Sequence, residues 1–191
     1  MSAHHLGNLD RVTDSERNAL RPIGTTARAA AQRTGALLAG QLALPGVLIF
    51  RGVQPEDDEI PRIPHVVFAG RKVVLVESVT WPPGSYRTTE DGRVHCDGVY
   101  IGQSVAPLLT AVTYWREALP PGHAVSAVVV VHRGGDGGLT LPRNRTREVT
   151  WASTDDAVRA VLRQLLGDRR GISPAALLAL SGAAARAAGE R

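Results

Sequence analysis

Glu77 is the residue most plainly placed to do chemistry. It closes an apolar run at residues 73–76, so a lone carboxylate stands at the end of a buried strand. A second apolar run, residues 63–68, precedes it across Ala69-Gly70-Arg71-Lys72. Short β-branched runs joined through a glycine turn read as a hairpin of buried strands. A carboxylate there suits metal-assisted phosphodiester hydrolysis, which needs at least two converging carboxylates and a means of stabilising developing charge. Neither apolar run contains a second carboxylate. Asp57, Asp58 and Glu59 are the nearest acidic residues. Glu59 lies five residues before Pro64, roughly 16 Å away along an extended chain. Only a loop doubling back rebuilds a metal site from them. Lys72 and Arg71 sit at the opposite end of the hairpin from Glu77.

Other constellations point to binding or to nothing. Arg143, Arg145 and Arg147 alternate, so an extended segment puts three guanidiniums on one side. That is the best local candidate for phosphate contact; a solvated edge that resists aggregation explains it equally well. His65 reads as a core histidine. His95-Cys96-Asp97 resembles a thiol–imidazole pair, but adjacent strand residues face opposite ways. Cys96 is the single cysteine, which leaves no zinc spacing and no intrachain disulfide. Gly134-Gly135-Asp136-Gly137-Gly138 lacks the Lys-Ser/Thr and helix of a phosphate loop. No metal or cofactor is expected.

The elements that must hold these residues follow from patterning. Residues 25–44, rich in Ala and Leu, predict a helix that Pro45-Gly46 ends. Residues 47–50 predict a buried strand, and 51–62 a loop. Residues 86–100 carry Glu90-Asp91-Gly92 and predict a more exposed hairpin. Residues 104–119 place Leu108, Leu109, Val112 and Trp115 on one helical face. Residues 125–131 are almost wholly apolar, as in a strand covered on both faces. A strand at 148–152, a helix at 157–166 and a final helix after Ser173-Pro174 complete the order. The fold class expected is α/β, a mixed central sheet flanked by helices.

The hairpin resembles the nuclease-related domain, a branch of the restriction-endonuclease-like superfamily. That family has Asp-His, a glycine turn, an apolar strand ending Glu-x-Lys, then Trp and Gly. Here the corresponding steps are Pro64-His65 and Glu77-Ser78-Val79, while Trp81 and Gly84 match. A polar hairpin and a Gln at a helix start follow in the family; residues 87–100 and Gln103 stand there. The resemblance spans residues 34–167. It implies a restriction-endonuclease-like core whose catalytic positions are degenerate. Glu77 and Gln103 are then vestigial. Glu77 is either held by an arginine and hydrogen bonds or still touches a ligand.

Composition sets the remaining bounds. The chain has 191 residues, 43% hydrophobic, enough for one domain with tails. Residues 1–22 read as a mobile or partner-ordered tail, 23–170 as the nuclease-like domain, 171–191 as a C-terminal helical appendage. Net charge is +4, carried almost wholly by arginine, with Lys72 the one lysine. The absence of a basic start followed by an apolar core, and of a span near 20 apolar residues, predicts a cytoplasmic protein without a membrane span. The expected function is a catalytically degenerate domain that binds nucleic acid, weakly and without sequence preference, or a protein partner through the tail or C-terminal helix. The alternatives are an active magnesium-dependent nuclease with relocated ligands, and an accessory subunit docked through its ends.

Overall fold

The computed structural model describes residues 4–7, 27–42, 44–143, 148–166 and 171–188. The elements run β1 (His4–Gly7), α1 (Ala27–Gln41), β2 (Val47–Val53), β3 (Ile63–Ala69), β4 (Lys72–Trp81), β5 (Gly84–Thr88), β6 (Arg93–Cys96) and β7 (Val99–Ser104). Then come α2 (Ala106–Ala118), β8 (Ala124–Arg133), β9 (Leu139–Thr140), β10 (Val149–Ser153), α3 (Ala157–Leu165) and α4 (Pro174–Ala188). The expected α/β class holds. A mixed sheet has the order β1-β2-β3-β4-β8-β10, and a smaller sheet the order β7-β6-β5-β9.

The antiparallel meander β2-β3-β4 turns at Gly70, whose φ of 60° suits the two-residue connection between Ala69 and Lys72. β8 and β10 then add parallel to β4. Parallel strands need helical crossovers that cover the faces, which explains why β4 and β8 are apolar nearly end to end. α1 and α3 cover one face, where Leu38, Ile49, Val74, Val128 and Val161 pack together. α2 and α4 cover the other, with Phe50, Leu75, Val112, Trp115 and Leu180. Strand period two sorts β4 between them: Val74, Val76 and Ser78 face α1, and Val73, Leu75, Glu77, Val79 and Trp81 face the α2 side.

Both chain ends are more integrated than their composition suggests. His4–Gly7 pairs in parallel with β2, Leu6 beside Phe50; the other residues of the 1–22 segment lie outside the described set. α4 is core rather than appendage. Ala176, Leu180, Ala183 and Ala184 are buried, Gln54 N–H donates to the Ala183 carbonyl at 3.1 Å, and Arg186 meets Glu56 at 3.2 Å. Its alanines let the helix lie close on β2, and closeness compensates for their small area. Ser173 Oγ accepts from Ala176 N at 3.4 Å, the cap that Ser-Pro implied.

Candidate functional site

Register builds the site. Glu77 pairs with Val129 on β8, and Val129 with Trp151 on β10. His65 pairs with Val76, so one step on, Pro64 stands across from Glu77. Arg51 pairs with His65 and Val53 with Ile63, which leaves Gly52 across from Pro64. Glu77 is thus the one polar side chain in a row of Gly52, Pro64, Val129 and Trp151. Val79 and Trp81 continue the same face of β4. Trp81 stacks on Tyr86 with centroids 4.1 Å apart and leans on Trp151 at 5.2 Å. Trp81, Tyr86 and Trp151 are all buried.

The consequence for Glu77 is electrostatic. It is 2% exposed. Oε1 accepts one hydrogen bond, from its neighbour Ser78 N–H at 2.9 Å, and Oε2 has no partner among the described residues. No arginine among the described residues holds it, contrary to one of the two readings of the sequence. Burial pushes its carboxyl up to about 8, partly offset by the Ser78 amide. The shift favours the neutral form, because ionising in an apolar row costs more than holding a proton.

The other expected residues do not converge on it. Gln103 lies in β7 rather than at a helix start; α2 begins three residues later, where Pro107 fits the first turn. Its Oε1 accepts from Trp81 Nε1 at 2.8 Å, so it orients the indole. Asp57, Asp58 and Glu59 are exposed, and Asp57 Oδ1 accepts from Glu59 N at 2.8 Å in a local turn. Among the described residues no group of three His, Cys, Asp or Glu comes together as a metal set. Lys72 is at the far end of β4 and donates to the Leu166 carbonyl at the C-cap of α3. A cation there complements the helix dipole. Arg143 is exposed; Arg145 and Arg147 lie outside the described residues. His95 packs on the Tyr100 ring at 5.7 Å, whereas the Cys96 thiol faces Asp97 at 3.6 Å, so the two do not meet.

Sequence reasoning missed a polar chain on the opposite face of β4. Ser78 Oγ lies 2.8 Å from Thr34 Oγ1, which lies 2.8 Å from His132 Nε2. His132 Nδ1 is 3.1 Å from Thr154 Oγ1, itself 3.4 Å from the Val131 carbonyl. One direction satisfies these four contacts: Ser78 donates to Thr34, Thr34 to Nε2, Nδ1–H to Thr154, and Thr154 to the carbonyl; the Ala30 backbone also faces the ring. His132 is therefore neutral. Burial first, and the Arg33 charge second, push it down to about 4. His65 lies on this face too, tight against α1: a Cβ on Gly35 would come 2.8 Å from its Nε2. Each residue alone looked like an isolated hydroxyl or imidazole on an apolar element, and only the register and α1 bring them together.

No helix among the described residues is long and apolar enough to cross a membrane. Comparison with protein-family models, with curated proteins and with solved structures finds no match to this chain.

Proposed function

We propose that this chain is a nuclease-like domain that does not cleave and works by binding, with nucleic acid as the ligand its charge favours. The observation that carries the reading is the environment of Glu77: buried, neutral, opposite Pro64 and two residues from Val79. Magnesium sheds water reluctantly, and a single carboxyl with no second one beside it among the described residues does not make a site for it. The succession of a helix, a three-strand meander, a helix and a parallel strand agrees with the resemblance carried by Trp81 and Gly84. A net charge of +4 borne by arginine suits phosphate contacts. The reading with relocated metal ligands finds no support in the exposed positions of Asp57, Asp58 and Glu59.

Fluorescence anisotropy with labelled single-stranded and duplex DNA, titrated with salt, tests this. Weak, sequence-independent affinity that falls with salt is expected, with Arg143→Glu flattening the salt slope if that residue touches phosphate. A pull-down from native lysate, before and after nuclease treatment, separates the protein-partner reading. Capture that survives nuclease, with no DNA affinity at low salt, contradicts the nucleic-acid assignment.

A further inference from the structure

A cleft of about 890 Å³ opens beyond the carboxyl ends of β8 and β10, between α1 and the loop from β8 to β9. It straddles the end of the sheet: Leu37 packs with the core under α1, whereas Val131, Leu139 and Leu141 pack with the core on the Glu77 side. Open α/β sheets take ligands at the carboxyl ends of their strands, and small-molecule sites run roughly 300–1,000 Å³. Its position and size are therefore those of a ligand site.

The lining has a definite chemistry. Arg33 from α1 and Arg133 from the end of β8 bring two guanidiniums, groups that only donate hydrogen bonds. Both are exposed, and Arg133 spends one donor, Nε, on the Gly135 carbonyl at 2.8 Å. Asp155 is the one acidic residue among the described lining. Leu37 from α1 and Leu139 from β9 supply apolar walls, and Gly137 and Gly138 also line the cleft. His132 and Thr154 form part of the floor. Both ring nitrogens of His132 are engaged within the protein, so the floor offers no free base.

We propose that this cleft binds a phosphate monoester of mononucleotide size. Arg33 and Arg133 hold the phosphate, Asp155 accepts from the ligand's hydroxyls, and Leu37 and Leu139 cover its flat apolar part. Charge selects the monoester. Near neutral pH it is close to a dianion, and the two guanidiniums leave the lining cationic even with the Asp155 carboxylate counted. A carboxylate or a phosphodiester brings one charge. Arginine forks match phosphate oxygens in geometry as well. The inference does not rest on the nucleic-acid reading: failure of DNA to bind leaves it standing, and its own failure leaves that reading standing.

Isothermal titration calorimetry on the full chain tests it, with adenosine monophosphate, ribose phosphate and adenosine as probes. Adenosine monophosphate should bind saturably and ribose phosphate more weakly. Removing the phosphate, as in adenosine, should cost roughly tenfold or more, the worth of a charged hydrogen bond. Arg33→Ala and Arg133→Ala should each weaken adenosine monophosphate by a similar factor. Arg87→Ala, an exposed arginine outside the cleft, should leave binding unchanged, and circular dichroism checks that each variant folds. Three results overturn the proposal: no saturable binding of either phosphate probe, adenosine binding as tightly as its monophosphate, or cleft variants that lose no more than Arg87→Ala. Equal affinity for ribose phosphate and adenosine monophosphate overturns the assignment of the apolar walls.

Discussion

Glu77 and Val129 stand side by side in register on parallel strands, both buried in the face that α2 covers. A carboxyl group so placed behaves as a neutral core residue with a stored proton. Its folded-state affinity for that proton is well above that of the unfolded chain, and this gives stability a direction with pH.

The sign follows from the two states. Unfolded, Glu77 releases its proton near 4.5; folded, near about 8. Between those values the folded state binds one proton more, so its stability falls as pH rises, by at most about 1.4 kcal/mol per unit. His132 works the other way. Its folded value near 4 lies below its model value of 6.5, so its contribution is lost as pH falls from 6.5 through 4. The window from pH 6.5 to 8 therefore isolates Glu77. Urea denaturation should show the parent losing stability across it, while Glu77→Gln stays flat and becomes the more stable protein at pH 8. Parallel slopes for the two proteins would contradict the assignment.

The polar chain under α1 should be costly to interrupt. Thr34→Val removes the hydroxyl shared by Ser78 and His132 and leaves both without that partner. A loss of about 1–3 kcal/mol is expected for an unsatisfied buried group. Ser78→Ala, at the end of the chain, should cost less, because Thr34 Oγ1 still donates to His132. Equal losses would mean that the two hydroxyls are not arranged in that direction. Thermal or urea melts of both variants supply the comparison.

Gly35 should be intolerant of any side chain. A Cβ there would come 2.8 Å from His65 Nε2, and both residues are fully enclosed between α1 and β3. Gly35→Ala should destabilise by about 1–3 kcal/mol, the usual range for overpacking. This is despite the gain in helix propensity, which at an exposed site amounts to about 1 kcal/mol in the opposite direction. A neutral or stabilising Gly35→Ala would show that the helix can lift away from the strand.

Deletion of residues 171–191 should unfold or severely destabilise the domain, since α4 buries Ala176, Leu180, Ala183 and Ala184 against the β2 side of the core. Circular dichroism and urea melts of the truncated chain decide this. A truncated chain with native stability would restore the view of α4 as a separable docking element.

Much of the architecture was legible in residue patterns. The runs at 63–68, 73–76 and 125–131 announced buried strands, and the turn at Gly70 announced their hairpin. The α2 face was readable from Leu108, Val112 and Trp115. The roles of individual polar residues were less so. Glu77 was identifiable as a lone carboxylate after an apolar run, but it does not end the strand: β4 continues to Trp81, and sheet order sets Glu77 in one row with Val129 and Trp151. Gln103 was misplaced because α2 begins only at Ala106, leaving the glutamine on β7. Thr34, Ser78, His132 and Thr154 are far apart in sequence and carry no spacing signal. α4 looked like an appendage because alanine-rich helices bury little area per residue; its proximity to β2 is a tertiary fact.

The most direct measurement is a carbon-13 NMR titration of the Glu77 carboxyl, with and without magnesium. The account predicts a midpoint close to 8, unchanged by millimolar magnesium, and a signal absent from Glu77→Gln. A midpoint near the ordinary glutamate value, or one that drops when magnesium is added, would mean an accessible, metal-binding carboxylate and would contradict the reading of this domain as one that binds without cleaving.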